Sequence, residues 1–191
     1  MLSTTDAIVL SLQPLNDRAQ LLHAYTRTGG RVRYKVYGLG RKHSAGLYSP
    51  LAWLQLTTDN TSIRTSQLQY VPRTITADPY KRSIALFISE VLSLTLRHPM
   101  ADEPLFDFIC RTVQQLDEAD EPQNIHLHFL IGLAEKLGFA IDENEYPELY
   151  AMPRTRSERQ QQLRLLSRYF SEQIDDWQEP RSLDILMEIF D

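Results

Sequence analysis

The chain has 191 residues with a formal net charge of −5, and its 42% hydrophobic and 24% charged residues argue against a mainly disordered, fibrous or membrane protein. Its one cysteine, Cys110, excludes an internal disulfide and a cysteine-rich zinc site, and its apolar helical setting favours a buried side chain. The apolar run at residues 7–10 is too short for a signal-peptide core or a membrane span, so we expect a cytoplasmic protein.

The first seventy residues have the pattern of short strands. Segments rich in Val, Ile, Leu, Tyr and Thr are separated by turn signals and lie at residues 6–12, 19–26, 31–37, 51–58 and 62–71. Five strands in about 70 residues, without room for long helices, are typical of a barrel of the OB type. A small SH3-like barrel is the alternative architecture.

The hydrophobic period changes from two to 3.6 residues after Asp78, which is followed by Pro79 and predicts a helix start. We expect helices from 79 to about 97, from about 103 to the acidic run at 117–122, from about 123 to 137, around residues 163–174, and from 183 to 190 after Ser182. Residues 142–156 have no period and predict a loop. The sequence thus predicts an α+β fold, with an OB-fold-like β-barrel at residues 1–76 followed by an all-helical bundle domain at residues 77–191.

Charge also divides the chain. Residues 1–80 contain nine Lys and Arg against four Asp, a balance of +5, and because the whole chain carries −5 the remainder carries −10. Such asymmetry indicates two domains with different partners.

The third predicted strand alternates between apolar and basic residues. Its inward face carries Val32, Tyr34 and Val36, and its outward face carries Arg31, Arg33, Lys35 and Tyr37. The glycine-bounded loop at residues 38–46 adds two further cations, Arg41 and Lys42. We therefore expect the functional side chains to lie on the outward face of this strand.

We predict that this face binds nucleic acid, because phosphates would neutralise cations that otherwise repel one another. Phosphate contacts are assigned to Arg31, Arg33, Lys35, Arg41 and Lys42, with Arg18 and Arg27 at the periphery and Tyr37 stacking on a base. A solvated strand face, protected by its charges against edge pairing, is the alternative. If about five phosphates are neutralised, affinity for single strands should fall about a hundredfold between 50 and 200 mM salt, without sequence specificity.

The sequence offers no set of residues for catalysis, and we expect no enzyme activity, cofactor or metal. Gly38-Leu39-Gly40 is only half of a dinucleotide-binding motif, and no Walker lysine motif, G-x-S-x-G elbow or H-E-x-x-H occurs. His126 and His128 diverge on a predicted helix and are expected to pack or contact a partner. The acidic run 117–121 is interpreted as a solvated helix connection, and Trp53 as barrel core.

The order of these parts resembles the RecO family of DNA repair proteins in its short, Bacteroidetes-like form. In the barrel, AIVL at residues 7–10 is followed by residues 21–26, Gly30-Arg31 and the glycine-bounded basic loop. In the helical half, the similar segments are DPYKRSIALFISEVL at 78–92, PLFDF at 104–108, LGF at 137–139 and SLDIL at 182–186. The similarity spans nearly the whole chain.

The resemblance implies a recombination mediator that binds single- and double-stranded DNA, anneals complementary strands and helps load recombinase on coated single strands. It also implies partnership with RecR and with the acidic tail of the single-strand-binding protein, received by the helical domain. Two features depart from the family: four zinc-binding cysteines are absent from the helical half, and a segment near 149–157 is missing. The alternatives are a protein adaptor that touches no nucleic acid and, less favoured, a nuclease.

Overall fold

The computed structural model describes residues 2–37 and 44–189, and Arg41 and Lys42 lie outside these ranges. Within them the first half of the chain forms five strands and one short helix. The strands are β1 (Leu2–Asn16), β2 (Ala19–Thr26), β3 (Gly30–Tyr37), β4 (Trp53–Asp59) and β5 (Ser62–Leu68), and helix α1 (Ser44–Leu47) lies between β3 and β4. The five predicted strands are confirmed, with β1 starting earlier than its hydrophobic pattern indicates.

The strands close into a barrel in the order β1-β2-β3-β5-β4. β1 pairs with two strands: residues 2–8 pair with β4 and residues 7–16 pair with β2, in both cases antiparallel. A bulge between Val9 and Ser11 falls where β1 changes partner, and bulges bend a strand. This architecture is the OB-type barrel that the sequence predicted.

Side-chain alternation decides what fills the barrel. The inward side chains include Val9, Leu22, Ala24, Leu54 and Leu56, each with no solvent exposure. Val36 of β3 is buried among them, whereas Arg33, Lys35 and Tyr37 are exposed on the other face. The predicted division of β3 into an apolar and a basic face is confirmed.

Helices make up the second half of the chain. They are α2 (Pro79–Thr95), α3 (Glu103–Glu118), α4 (Ile125–Lys136), α5 (Pro147–Tyr150), α6 (Arg156–Gln173) and α7 (Leu183–Ile189), with a 3-10 turn at Pro122–Asn124 before α4. The carboxylate of Asp78 caps α2 by accepting from the N–H groups of Tyr80 and Lys81, as its position before Pro79 predicted. The short α5 lies inside the segment that was expected to be a loop.

α4 is the central helix of this half and contacts α2, α3 and α6. Leu127, Leu130 and Leu133 are buried on one broad face of α4, whereas His128 and Glu135 are exposed on the other. His126 is also buried and meets the ring of Phe87 edge to face, so its predicted packing role is confirmed. Burial lowers the pKa of His126 to about 3, with further contributions from Arg159 and His128, so the ring is neutral at pH 7.

The barrel and the helices share one core. Ile8, Leu10 and Tyr25 lie on the outer surface of β1 and β2 and are buried in the same cluster as the apolar faces of the helices. Gly30 has a φ of 63°, and a Cβ at this position would collide with the backbone of Met100. The start of β3 is therefore held close to the segment between α2 and α3.

Asp117 departs from the expectation for the acidic run, because only 2% of its surface is exposed. Its carboxylate accepts hydrogen bonds from the N–H groups of Arg73, Thr74 and Ile75 and from the Tyr70 hydroxyl, at 2.7–3.0 Å. Burial alone would raise the pKa of Asp117, but these donors hold it well below its usual value. The interpretation of this residue as part of a solvated connection was wrong, since it fixes the segment that leads from the barrel into α2.

Two further interpretations can be compared with the fold. Cys110 is buried in the shared core, and burial raises the pKa of its thiol to about 12, as expected of a structural cysteine. Trp53 is only partly buried and stacks on Tyr70 beside the helical core, so it does not fill the barrel interior. Among the residues that the structure describes, no helix is long and apolar enough to cross a membrane.

Candidate nucleic-acid interface

The candidate site lies on the outer surface of β2 and β3. These strands pair antiparallel, and the register places His23 opposite Arg33, Leu21 opposite Lys35 and Ala19 opposite Tyr37. Strand geometry puts every second β3 side chain on this surface, about 7 Å apart. The C-terminal half of β3 therefore presents two cations followed by one aromatic ring.

Arg33, Lys35 and Tyr37 are accessible to a ligand. All three are exposed, and the relative exposure of Tyr37 is 56%. Within the described part of the chain, neither Arg33 nor Lys35 forms an ion pair. Their charges thus stand uncompensated on a surface that also offers a flat aromatic face.

Two turns border this end of β3. The β1–β2 turn carries Arg18, which is exposed and whose N–H donates to the Asn16 side chain at 2.9 Å. The β4–β5 turn lies against β3, because the Lys35 N–H donates to the Thr61 carbonyl at 2.7 Å. In OB barrels the strand 2–3 face together with these two loops forms the usual binding surface for oligonucleotides or oligosaccharides.

Arg64 is a cation that the sequence interpretation missed. It lies on β5 just after the β4–β5 turn, and its side chain is 59% exposed. Its guanidinium binds Asp59 across the turn at 2.7 Å and helps keep the pKa of that carboxyl below its usual value. The signal that could have found it is its position at the loop that borders the binding surface of OB barrels.

Arg31 and Arg27 lie at the junction with the helices and are already engaged. Arg31 Nη1 donates to the carbonyls of Ser93 and Leu96 at the end of α2. Arg27 binds Glu103 and Asp107 of α3 at 3.1 and 2.7 Å, and its guanidinium lies 4.5 Å from the centroid of the Phe106 ring. The structure therefore separates these two arginines from the exposed pair on the same strands. Arg41 and Lys42 lie outside the described residues.

The local pKa shifts agree with a crowded positive surface. Burial lowers the pKa of Arg31, and the neighbouring charges of Arg33 and Arg97 lower it further. Burial, Arg31 and Arg33 together lower the pKa of His23, so the imidazole is neutral at pH 7 and adds no charge. Among the described residues no group of His, Cys, Asp or Glu side chains could hold a metal ion.

The fold and this surface define an OB-barrel protein joined to a helical domain, a class in which this face of the barrel serves as a binding platform. Comparison with known proteins narrows the class. The family model described as "Recombination protein O C terminal" matches residues 76–146. DNA repair protein RecO of Porphyromonas gingivalis is 35% identical over 154 residues, which cover 74% of this chain and 63% of the relative. The chain belongs to the RecO family.

Two further relatives extend the match. RecO of Phocaeicola vulgatus is 33% identical over 158 residues, covering 78% of this chain and 66% of that protein, so these two matches span about two thirds of the relatives' length or slightly less. RecO of Bacteroides fragilis is 28% identical over 242 positions that cover the whole of both chains. Since this chain has 191 residues, it is internally shorter than that relative, as the resemblance indicated.

Proposed function

We propose that this protein is a DNA repair and recombination mediator that binds DNA on the β2–β3 face of its barrel. The observation that carries the proposal is the exposure of Arg33, Lys35 and Tyr37, without acidic partners, on the binding face of an OB barrel in a RecO family member. Arg18 would extend the same surface, and Arg41 and Lys42, which follow β3 in sequence, stay part of the proposed site on the sequence pattern alone.

The chemistry of this surface suits a phosphate backbone. Lys and Arg neutralise phosphates and release their counterions, so affinity depends on salt and is nearly independent of base sequence. Tyr37 offers a face on which any base can stack, worth about 1–3 kcal/mol per base. The surface would bind single strands through both phosphate contacts and base stacking, and double strands through the phosphate contacts alone.

Annealing follows from the same contacts. Two complementary strands repel each other through their phosphates, and a basic surface that neutralises part of this charge lowers the barrier to their encounter. Base pairing then supplies the driving force and the specificity. The protein would need no catalytic residues of its own, and it would help recombinase to load on single strands coated by the single-strand-binding protein.

The acidic tail of the single-strand-binding protein is the partner that we assign to the helical half, and we place it near the start of α6. Although this half carries −10 overall, residues 154–168 contain five arginines and one glutamate. A cavity of about 350 Å³ lies at the start of α6, and its lining combines Met152, Pro153 and Leu165 with Arg154 and two acids, Glu148 and Glu158. The apolar part of this cavity would hold apolar groups of the tail, while the arginines of residues 154–168 would attract its acidic part. Partnership with RecR is proposed from the family alone.

Charge reversal on β3 tests the proposed DNA site. We expect Arg33→Glu combined with Lys35→Glu to weaken binding of a labelled single-stranded oligonucleotide at least tenfold in fluorescence anisotropy at low salt, because two phosphate contacts become repulsive. The matched control combines Arg82→Glu with Arg111→Glu, which makes the same change of charge at exposed positions of the helices. Equal affinities of the two double variants would remove β3 from the site.

The protein adaptor is the competing function, and the same titration separates it from the proposal. An adaptor would show no affinity for oligonucleotides at low salt in the wild-type protein.

A further inference from the structure

Two arginines from different parts of the molecule meet at the last turn of α2. Arg31, on β3 of the barrel, donates from Nη1 to the carbonyls of Ser93 and Leu96. Arg97, just after α2, donates from Nε to the carbonyl of Leu94 at 2.9 Å. Both guanidinium groups are therefore held at one helix C-terminus, where the carbonyl dipoles favour positive charge.

Arg31 also lies beside Arg33, so the cations form a continuous row. Alternate residues of β3 place Lys35, Arg33 and Arg31 on one face over about 14 Å, and Arg97, held at the C-terminal end of α2, continues the row. The electrostatic coupling of Arg31 to both Arg33 and Arg97 agrees with this arrangement. The row crosses from the barrel to the helices without interruption.

The junction beneath this row is rigid. The backbone of Gly30 lies against the backbone of Met100, so that even one added methyl group would not fit. The Tyr25 hydroxyl adds a second link, because it accepts from the Asp102 N–H at 3.2 Å and lies 3.5 Å from the Met100 carbonyl. The spacing of Arg31 and Arg97 is therefore fixed before any ligand arrives.

Hydrogen bonding to the end of α2 explains the orientation of Arg31 and Arg97, but it does not neutralise their positive charges. Of the row, Arg97 has the one acidic neighbour seen among the described residues, Asp176, with 4.0 Å between Nη1 and a carboxylate oxygen. Asp176 is 91% exposed, and an ion pair at that distance and exposure contributes little. One cation is enough to cap this helix end. Two arginines, Arg31 and Arg97, lie there, and Arg33 lies next to Arg31.

We infer that the phosphate-binding row of β3 continues across the junction, with Arg97 as a further phosphate contact on the helical side. The inference rests on the proposed function, because it assumes a nucleic-acid backbone along β3. A strand in this position touches both halves of the protein at once. Arg31 is the bridging residue, since it caps α2 while lying between the phosphates at Arg33 and Arg97.

The test is anisotropy with a labelled single-stranded oligonucleotide at several salt concentrations. Arg97→Gln is expected to weaken binding about fivefold at low salt and to make the logarithmic salt slope shallower by about 0.7, the loss of one contact. Arg97→Lys should retain most of the affinity, because a lysine keeps the positive charge. It does not keep the hydrogen-bonding geometry of the guanidinium group. Arg111→Gln is the matched control, an exposed arginine on α3 for which we expect no change.

A second variant keeps the inference testable if Arg97→Gln loosens the end of α2. Asp176→Asn leaves Arg97 and its bond to the Asp176 carbonyl in place but removes the competing negative charge, so affinity should rise about twofold. Wild-type affinity and slope in both Arg97→Gln and Asp176→Asn would overturn the inference, while loss of binding in the β3 double variant would still support the proposed site. Failure of the wild-type protein to bind DNA would instead reject the proposed function.

Discussion

Asp117 is the residue at which a small chemical change should cost the most stability. Its carboxylate accepts from three backbone N–H groups and the Tyr70 hydroxyl. Asn in its place would turn an amide N–H2 group toward those donors and leave some of them unsatisfied, at a cost of about 3 kcal/mol in the free energy of unfolding. Urea denaturation of Asp117→Asn measures this cost. Asp120→Asn, an exposed change in the same acidic run, should stay within about 0.5 kcal/mol of the wild type.

The lowered pKa of Asp117 also predicts acid sensitivity. An unfolded aspartate has a pKa of about 3.9, and the folded value is lower, so this group contributes its full stability above about pH 5 and loses it as the pH falls toward the folded pKa. We expect the free energy of unfolding to fall between about pH 5 and pH 2 in the wild type, and less steeply in Asp117→Asn. Identical pH dependence of the two proteins would show that the carboxylate contributes nothing.

At the scale of the element, β3 determines the candidate site. Tyr37 follows the exposed cations on the same face, and a stacked base there should contribute about 1–3 kcal/mol to single-strand binding. Tyr37→Ala is therefore expected to lose this affinity for single strands but to keep most of the affinity for a duplex, whose bases are not free to stack. Tyr37→Phe retains the ring and serves as the control. Equal losses for single and double strands would contradict a stacking role.

The alternation of apolar and basic residues in the sequence was sufficient to assign the two faces of β3, because successive side chains of a strand point to opposite faces and one face here is buried. It could not tell which outward cations remain available. Arg27 and Arg31 are engaged by residues 62 to 80 positions away in sequence, and no local pattern reports such contacts. Asp117 was misjudged for the same reason, since its partners at residues 70–75 come from a distant segment that folds over the end of α3.

At the scale of the whole molecule, the helices pack against the outer surface of β1 and β2. The contacts of Tyr25, Arg27 and Arg31 with the helices gather at the β2–β3 turn. Arg18 and Tyr37 lie at the opposite end of the same strands. Because the half with a balance of −10 repels phosphates, we expect DNA to bind along the row of cations and at the end of β2 and β3 that carries Arg18 and Tyr37.

Salt dependence of DNA binding is the measurement that tests this arrangement most directly. A labelled single-stranded oligonucleotide is titrated with the wild-type protein from 50 to 200 mM salt, and affinity is followed by anisotropy. Neutralisation of about five phosphates predicts a loss of about a hundredfold across this range. Absence of binding at 50 mM salt, or an affinity that salt leaves unchanged, would contradict a phosphate-binding surface on the barrel.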